Sequence, residues 1–203
     1  PDPRRSYPEN FLWMITGREP SPAEVRAFDQ TLIAYAEHEL PNSTFAARVI
    51  ASTLADLYGA LTGAVASLKG PLHGGANEAV MEMLLEAGDE DGLERLIREK
   101  LARKERIMGF GHRVYMRRMD PRAQLLKETL AQLVAEKGDP EGEKLVRMCQ
   151  RGEDVMRQEK GLFPNLDYYA APVYWVLGIP IDLYTPIFFA ARTAGLVAHV
   201  VEQ

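Results

Sequence analysis

From Gly74 to Gly161 the sequence breaks into short runs: "NEAVMEMLLEAG", "GLERLIREKLARK", "DPRAQLLKETLAQLVAEKG" and "EKLVRMCQRGEDVMRQEKG". Apolar residues recur in them every three or four positions, with charges between. That period is the signature of an amphipathic α-helix with one face on a core. Nowhere in the 203 residues does a run alternate apolar and polar side chains as a half-buried strand demands. The chain is therefore expected to be all-α.

The flanking segments are more apolar. "SPAEVRAF" opens a helix: Ser21 caps, Pro22 takes the first helical position and Glu24 completes a capping box. Val25, Phe28, Leu32 and Tyr35 then share one face. After "LPN" a second helical region starts at Ser43 or Thr44 and carries Phe45, Val49, Leu54 and Leu61. Leu57 to Leu68 contains no charge, and Gly59 and Gly63 in it would let another helix approach closely. Asp120-Pro121 and Asp139-Pro140 read as helix starts, Gly138 and Gly161 as stops. From Tyr168 the sequence is apolar again to Gln203. A charged helical block between two apolar ones predicts two domains, the larger discontinuous: 1–75 and 168–203 in the large domain, 76–167 in the small one.

Hydrophobic residues make up 46% of the chain and charged ones 26%, which places it among globular proteins rather than disordered ones. The net charge of -5 without a basic stripe argues against nucleic acid as a partner. The single cysteine, Cys149, cannot form an internal disulfide and fits a reducing, cytoplasmic compartment. The uncharged runs are too short or too interrupted to span a bilayer, so no membrane is expected. Pro1 is not a methionine. The apolar pattern Ile187, Phe188, Ala191, Leu196, Val200 runs to Gln203 with no stop signal. Both ends predict an internal fragment or a chain cut within a helix.

His38, His73 and His112 lie at segment junctions, in "AEHELPNSTF", "GPLHGGAN" and "MGFGHRVY". Rigid scaffolds present reactive groups at such places, yet a lone junction histidine is more often structural. His199, inside an apolar helix, reads as a packing residue. His38-Glu39 begins a zinc-type H-E-x-x-H pattern, but Asn42 stands where the second ligand belongs, and no C-x-x-C exists. No metal is expected. A Ser-His-Asp hydrolase would need G-x-S-x-G and strands, and has neither. "GFGH" is a lone G-x-G, either a turn or an approach to phosphate or adenine. Arg192 is the only arginine or lysine in "YTPIFFAARTAGLVAHVVEQ". Buried, it needs an anion: a salt bridge from another segment, or a bound carboxylate gripped bidentately. Asp167 in "LFPNLDYY" is a helix cap or a base in a dry pocket.

With these residues in view, the chain resembles the citrate synthase family. Five blocks carry the likeness, in one order over nearly the whole length: "EHELPNSTFAARV", "GPLHGGANEAV", "MGFGHRVY" with "DPRA", "PNLDYY" and "GIPIDLYTPIFFAARTAGLVAH". The resemblance implies an all-α fold whose large and small domains close over oxaloacetate and then acetyl-CoA, in a homodimer or a higher oligomer. It implies a central-to-late part of such a polypeptide, lacking N-terminal and C-terminal portions. Asp167 would take a methyl proton from the acetyl thioester, His73 would hold the enol oxygen, and His112 would protonate the oxaloacetate carbonyl. His38, Arg122, Arg192 and Phe188 would hold oxaloacetate. Ile107, Met108, Gly109, Phe110 and Gly111 would lie near the CoA adenine. Acetyl-CoA would be a co-substrate, with no permanently bound cofactor. Thr44 is the candidate to hydrogen-bond His73 and fix its tautomer.

An acetyl thioester is so weak a carbon acid that one carboxylate needs a donor aimed at the developing oxyanion, and a neutral histidine suits that task. Tyr35, Glu37, Ala170, Ala171 and Leu196 depart from the family pattern. So does the ten-residue step from His112 to Arg122, which leaves Arg117 and Arg118 as alternatives. Two other readings stand beside condensation of acetyl-CoA with oxaloacetate: 2-methylcitrate synthesis from propionyl-CoA, and a non-catalytic helical dimer that keeps the fold.

Overall fold

The computed structural model describes residues 1–70 and 73–203. Among them are ten α-helices: α1 (Tyr7–Thr16), α2 (Pro22–Ala36), α3 (Asn42–Ala51), α4 (Leu57–Leu68), α5 (Ala76–Ala87), α6 (Glu90–Ala102), α7 (Pro121–Lys137), α8 (Pro140–Lys160), α9 (Leu166–Val176) and α10 (Tyr184–Val201). A single 3₁₀ turn, Ile181–Leu183, precedes α10. The described residues form no strand, only an isolated bridge between Phe110 and Pro164. The fold is all-α, as the periodicity predicts. Among the described residues no helix is long and apolar enough to cross a membrane. Pro71 and Leu72 of the "GPLHGGANEAV" block lie outside the described residues.

The helix ends follow the sequence signals. The Ser21 hydroxyl accepts from Glu24 N–H, and the Glu24 carboxylate accepts from Ser21 N–H, closing the capping box. Asp120 and Asp139 cap α7 and α8, and Gly138 and Gly161 end them in the left-handed conformation.

The chain forms two compact units, residues 1–30 with 76–181, and residues 31–75 with 182–203. The expected boundaries, 1–75, 76–167 and 168–203, do not coincide with these. In the first unit α9 is the central helix. It packs against α5, α7 and α8, and Leu166, Tyr168 to Tyr174 and Val176 are buried. The apolar turn of the sequence at Tyr168 thus marks a helix buried along most of its length within this unit, with Trp175 left exposed. Phe11 stacks on Phe28 at 5.4 Å, and Phe28 meets Tyr174 at 6.3 Å, which brings the N-terminal residues into the same core.

The second unit packs α3, α4 and α10 around Ala47, Ala51, Ala60, Ala64 and Leu196. Small side chains at the contact draw the helix axes together. Gly63 takes the closest approach: a Cβ there would lie 2.0 Å from Ile50 Cδ1. Gly59 does not serve that purpose, since it sits on the exposed first turn of α4, where a Cβ would only touch Asp56 and Ala55. His199 is not simply a packing residue. Its Nε2 lies 3.1 Å from Glu37 Oε1, and Arg48 donates to its carbonyl at 3.0 Å.

Candidate active site

The candidate residues fall into two groups, one in each unit. In the second unit, His38 lies half-buried in the segment between α2 and α3, followed by Glu39 at φ +58°. A non-glycine residue in that region is strained, and such strain persists only where the surroundings impose it. His73 faces the first turn of α3. The Ser43 N–H points at His73 Nε2 at 3.3 Å, and Ser43 Oγ lies 2.9 Å from the same nitrogen. The N–H is one of the donors that a helix leaves without an internal acceptor at its start. A backbone N–H only donates, so Nε2 accepts and the proton of the neutral ring sits on Nδ1. Burial and then the charge of Arg192 hold the His73 pKa below its ordinary value of 6.5. The expected partner, Thr44, does not make this contact. Its Oγ1 is buried without a hydrogen bond among the described residues. Asn42 opens α3, and the helical phase that follows presents Ser43 to the ring.

Arg192 is only 3% exposed. Its Nε donates to the Tyr35 carbonyl at 2.6 Å, and its guanidinium stacks over the Phe188 ring at 4.7 Å. Phe188 in turn meets Tyr35 edge-on at 4.8 Å. Phe188 and Arg192 are one helical turn apart on α10, so α10 presents both together.

In the first unit, residues 107–112 run alongside 163–165. Gly111 N–H donates to Phe163 O at 2.8 Å, Asn165 N–H to Gly109 O at 2.9 Å, and Asn165 Nδ2 to Gly111 O at 3.1 Å. Gly109 has φ +85°, and a Cβ there would lie 2.7 Å from Val80 and 3.0 Å from Tyr168. Ile107 and Phe110 are buried, with Phe110 on Tyr168 at 4.4 Å. The 107–111 segment therefore spends its larger side chains on packing and offers a ligand mainly Met108 and backbone.

Asn165 caps α9 by accepting from Asp167 N–H at 3.1 Å. Asp167 thus occupies the first turn of α9, where the helix dipole favours a carboxylate. His112 accepts from Val114 N–H at Nδ1, 3.1 Å, which leaves its proton on Nε2. Burial foremost, together with the charge of Arg122, lowers the His112 pKa, and Asp120 and Asp167 oppose the shift. Arg122 forks onto the fully buried Asp120, with contacts of 3.1 and 2.6 Å. Arg117 and Arg118 are exposed in the loop before α7. Two residues of these groups escape a sequence reading. Ser43 is distinguished from Thr44 only by helical phase. Asp120 reads as a helix start, but it also fixes the Arg122 side chain two positions on. Among the described residues no cluster of His, Cys, Asp or Glu is arranged to hold a metal ion.

These features define an all-helical chain with two groups of buried and half-buried histidine, arginine and aspartate side chains, and comparison with known proteins fixes its family. The family model described as "Citrate synthase, C-terminal domain" matches residues 1–203, and the chain belongs to that family. It is 68% identical to the citrate synthase of Heyndrickxia coagulans over 98% of this chain and 52% of that protein. It is 67% identical to the citrate/2-methylcitrate synthase of Bacillus subtilis over the same shares of each. Among solved structures it resembles the citrate synthase of Thermoplasma acidophilum, a ternary complex with carboxymethyl coenzyme A and oxaloacetate. That likeness has a TM-score of 0.90 and 40% identity, and covers 100% of this chain and 54% of the other. The chain spans about half the length of the curated relatives it matches.

Proposed function

We propose that the protein of which this chain is part condenses acetyl-CoA with oxaloacetate to give citrate and CoA. The observation that carries this most is the His73 arrangement: a neutral, half-buried imidazole whose tautomer is set by Ser43, within electrostatic reach of Arg192. A neutral N–H donor is the group that an enol or enolate oxygen requires. In this reading Asp167 takes the proton from the acetyl methyl group, while His73 Nδ1–H hydrogen-bonds the thioester oxygen. The enol carbon attacks the ketone of oxaloacetate, and His112 Nε2–H protonates the oxygen formed there. His38, Arg122, Arg192 and Phe188 hold the dicarboxylate. Residues 107–111 contact CoA. Water then cleaves the citryl thioester.

The relative from Bacillus subtilis carries both names, which supports propionyl-CoA as the second donor. One methylene shifts specificity by only about 1–3 kcal/mol. The test is citrate and 2-methylcitrate formation by the complete gene product, compared as kcat/KM for acetyl-CoA and propionyl-CoA. A higher value for acetyl-CoA is expected. A higher value for propionyl-CoA overturns that preference, and no product from either donor overturns the whole proposal.

Assembly as a homodimer, in a cytoplasmic setting, belongs to the same proposal. Phe45, Val49, Leu54, Tyr58 and Val65 on and between α3 and α4 are 43–96% exposed. Such an apolar surface fits a second copy of the chain.

A further inference from the structure

Glu153 is a charged group that the proposed chemistry leaves unused, although it is only 4% exposed. It lies on α8, and three donors converge on its carboxylate. Lys127 Nζ of α7 reaches Oε2 at 2.7 Å, the Tyr169 hydroxyl of α9 donates to Oε2 at 2.8 Å, and Arg157 donates to Oε1 at 2.8 Å. The Lys127 ammonium also lies over the Tyr169 ring at 5.7 Å, and the Arg157 guanidinium over the Phe163 ring at 5.6 Å. A buried carboxylate is tolerated only when so fully paired, and an apolar side chain would pack there at no such cost.

Its partners share a location. Tyr169 stands two residues after Asp167 on the same helix. Phe163 accepts the Gly111 N–H through its carbonyl, and Asn165, two residues further, caps α9 on Asp167 N–H. Tyr168 is anchored to α8 as well, its hydroxyl donating to Cys149 O at 2.9 Å. Glu153 therefore fastens both the segment that enters α9 and the first turn that carries Asp167. We propose that Glu153 is a positioning residue: acting through Tyr169 and Arg157, it fixes the Asp167 carboxylate in the orientation that proton abstraction needs. This rests on the assignment of Asp167 as the base.

Steady-state kinetics on the complete gene product test it, using Glu153→Gln, Tyr169→Phe and the double variant. Misplacing a base by a fraction of an ångström to an ångström costs roughly ten- to a hundredfold in rate. The expected result is a fall in kcat of that order for Glu153→Gln. KM for oxaloacetate should stay within about twofold, because the groups assigned to that substrate are not on α9. The double variant should be no slower than Glu153→Gln alone, since both changes cut the same connection. A lowered melting temperature with parental kcat in both single variants marks Glu153 as merely structural and overturns the proposal. If Glu153→Gln does not fold, Tyr169→Phe decides alone: it removes one hydroxyl, and parental kcat there refutes the proposal. A parent protein without condensation activity instead refutes the functional assignment and the proposal with it.

Discussion

Replacing Glu24 with glutamine should destabilise the protein by about 3 kcal/mol at neutral pH. Glu24 is 3% exposed and receives both terminal nitrogens of Arg18 at 2.8 and 2.7 Å, Lys137 Nζ at 2.7 Å, and Ser21 N–H at 2.9 Å. Burial by itself would raise its pKa, but the bonds from Arg18, Lys137 and Ser21 outweigh it and bring the value from 4.5 down to about 2. A carboxyl held at about 2 rather than 4.5 corresponds to about 3 kcal/mol favouring the folded, ionised state. Removing one partner of a buried ion pair typically costs about 3–5 kcal/mol, which agrees. A group whose folded pKa is depressed contributes above its unfolded pKa and loses that contribution as pH falls. The advantage of the parent over Glu24→Gln is therefore complete above about pH 5 and shrinks to about 1 kcal/mol at pH 3. Other carboxylates titrate equally in both proteins and cancel in the difference. Urea unfolding followed by far-UV circular dichroism at pH 7, 4 and 3 measures it. A variant within about 0.5 kcal/mol of the parent at pH 7, or a difference that does not change with pH, refutes the reasoning. The consequence extends to α9, because Arg18 and Lys137 also donate to the Leu177 and Val176 carbonyls at its far end.

Histidine-selective NMR should find His73 titrating below 6.5, with Arg192→Gln moving it upward. A parental value at or above 6.5 would contradict the roles given to burial and Arg192. Protonation below that pKa occupies Nε2 and breaks the Ser43 N–H contact, so turnover should decline on the acid side. Light scattering of the complete gene product should give the mass of a dimer or a larger assembly, with Tyr58→Lys shifting it toward the monomer. A monomeric parent would refute the proposed interface.

Helix positions and ends are legible because the signals are local: Asp120 and Asp139 before proline, Gly138 and Gly161 after the last apolar turn. The five ordered blocks likewise identify the family without any structure. The unit boundaries are not legible in this way. Hydropathy reports how enclosed a helix is, not which core encloses it. α9 is apolar because α5, α7 and α8 pack against it, and it belongs with the charged helices that precede it in sequence, not with the apolar α10 that follows. The first residues join them through Phe11, Phe28 and Tyr174, a contact about 150 residues apart in sequence that no local pattern encodes. Within the candidate site, residue types are legible and partners are not. Ser43 and Thr44 are chemically near-equivalent, and only the phase of α3 presents one of them to His73. Asp120 reads only as a helix start and Glu153 as a surface acid of a charged helix, yet Asp120 is buried against Arg122 and Glu153 against Lys127 and Arg157.

The assignment of Asp167 as base and His73 as enol-stabilising donor is tested by Asp167→Ala and His73→Ala in the complete gene product, with turnover measured beside oxaloacetate binding by isothermal titration. Both variants should lose at least about a thousandfold in turnover while still binding oxaloacetate, since removing the base or the oxyanion donor acts on the transition state. Turnover near that of the parent in either variant would contradict the assignment.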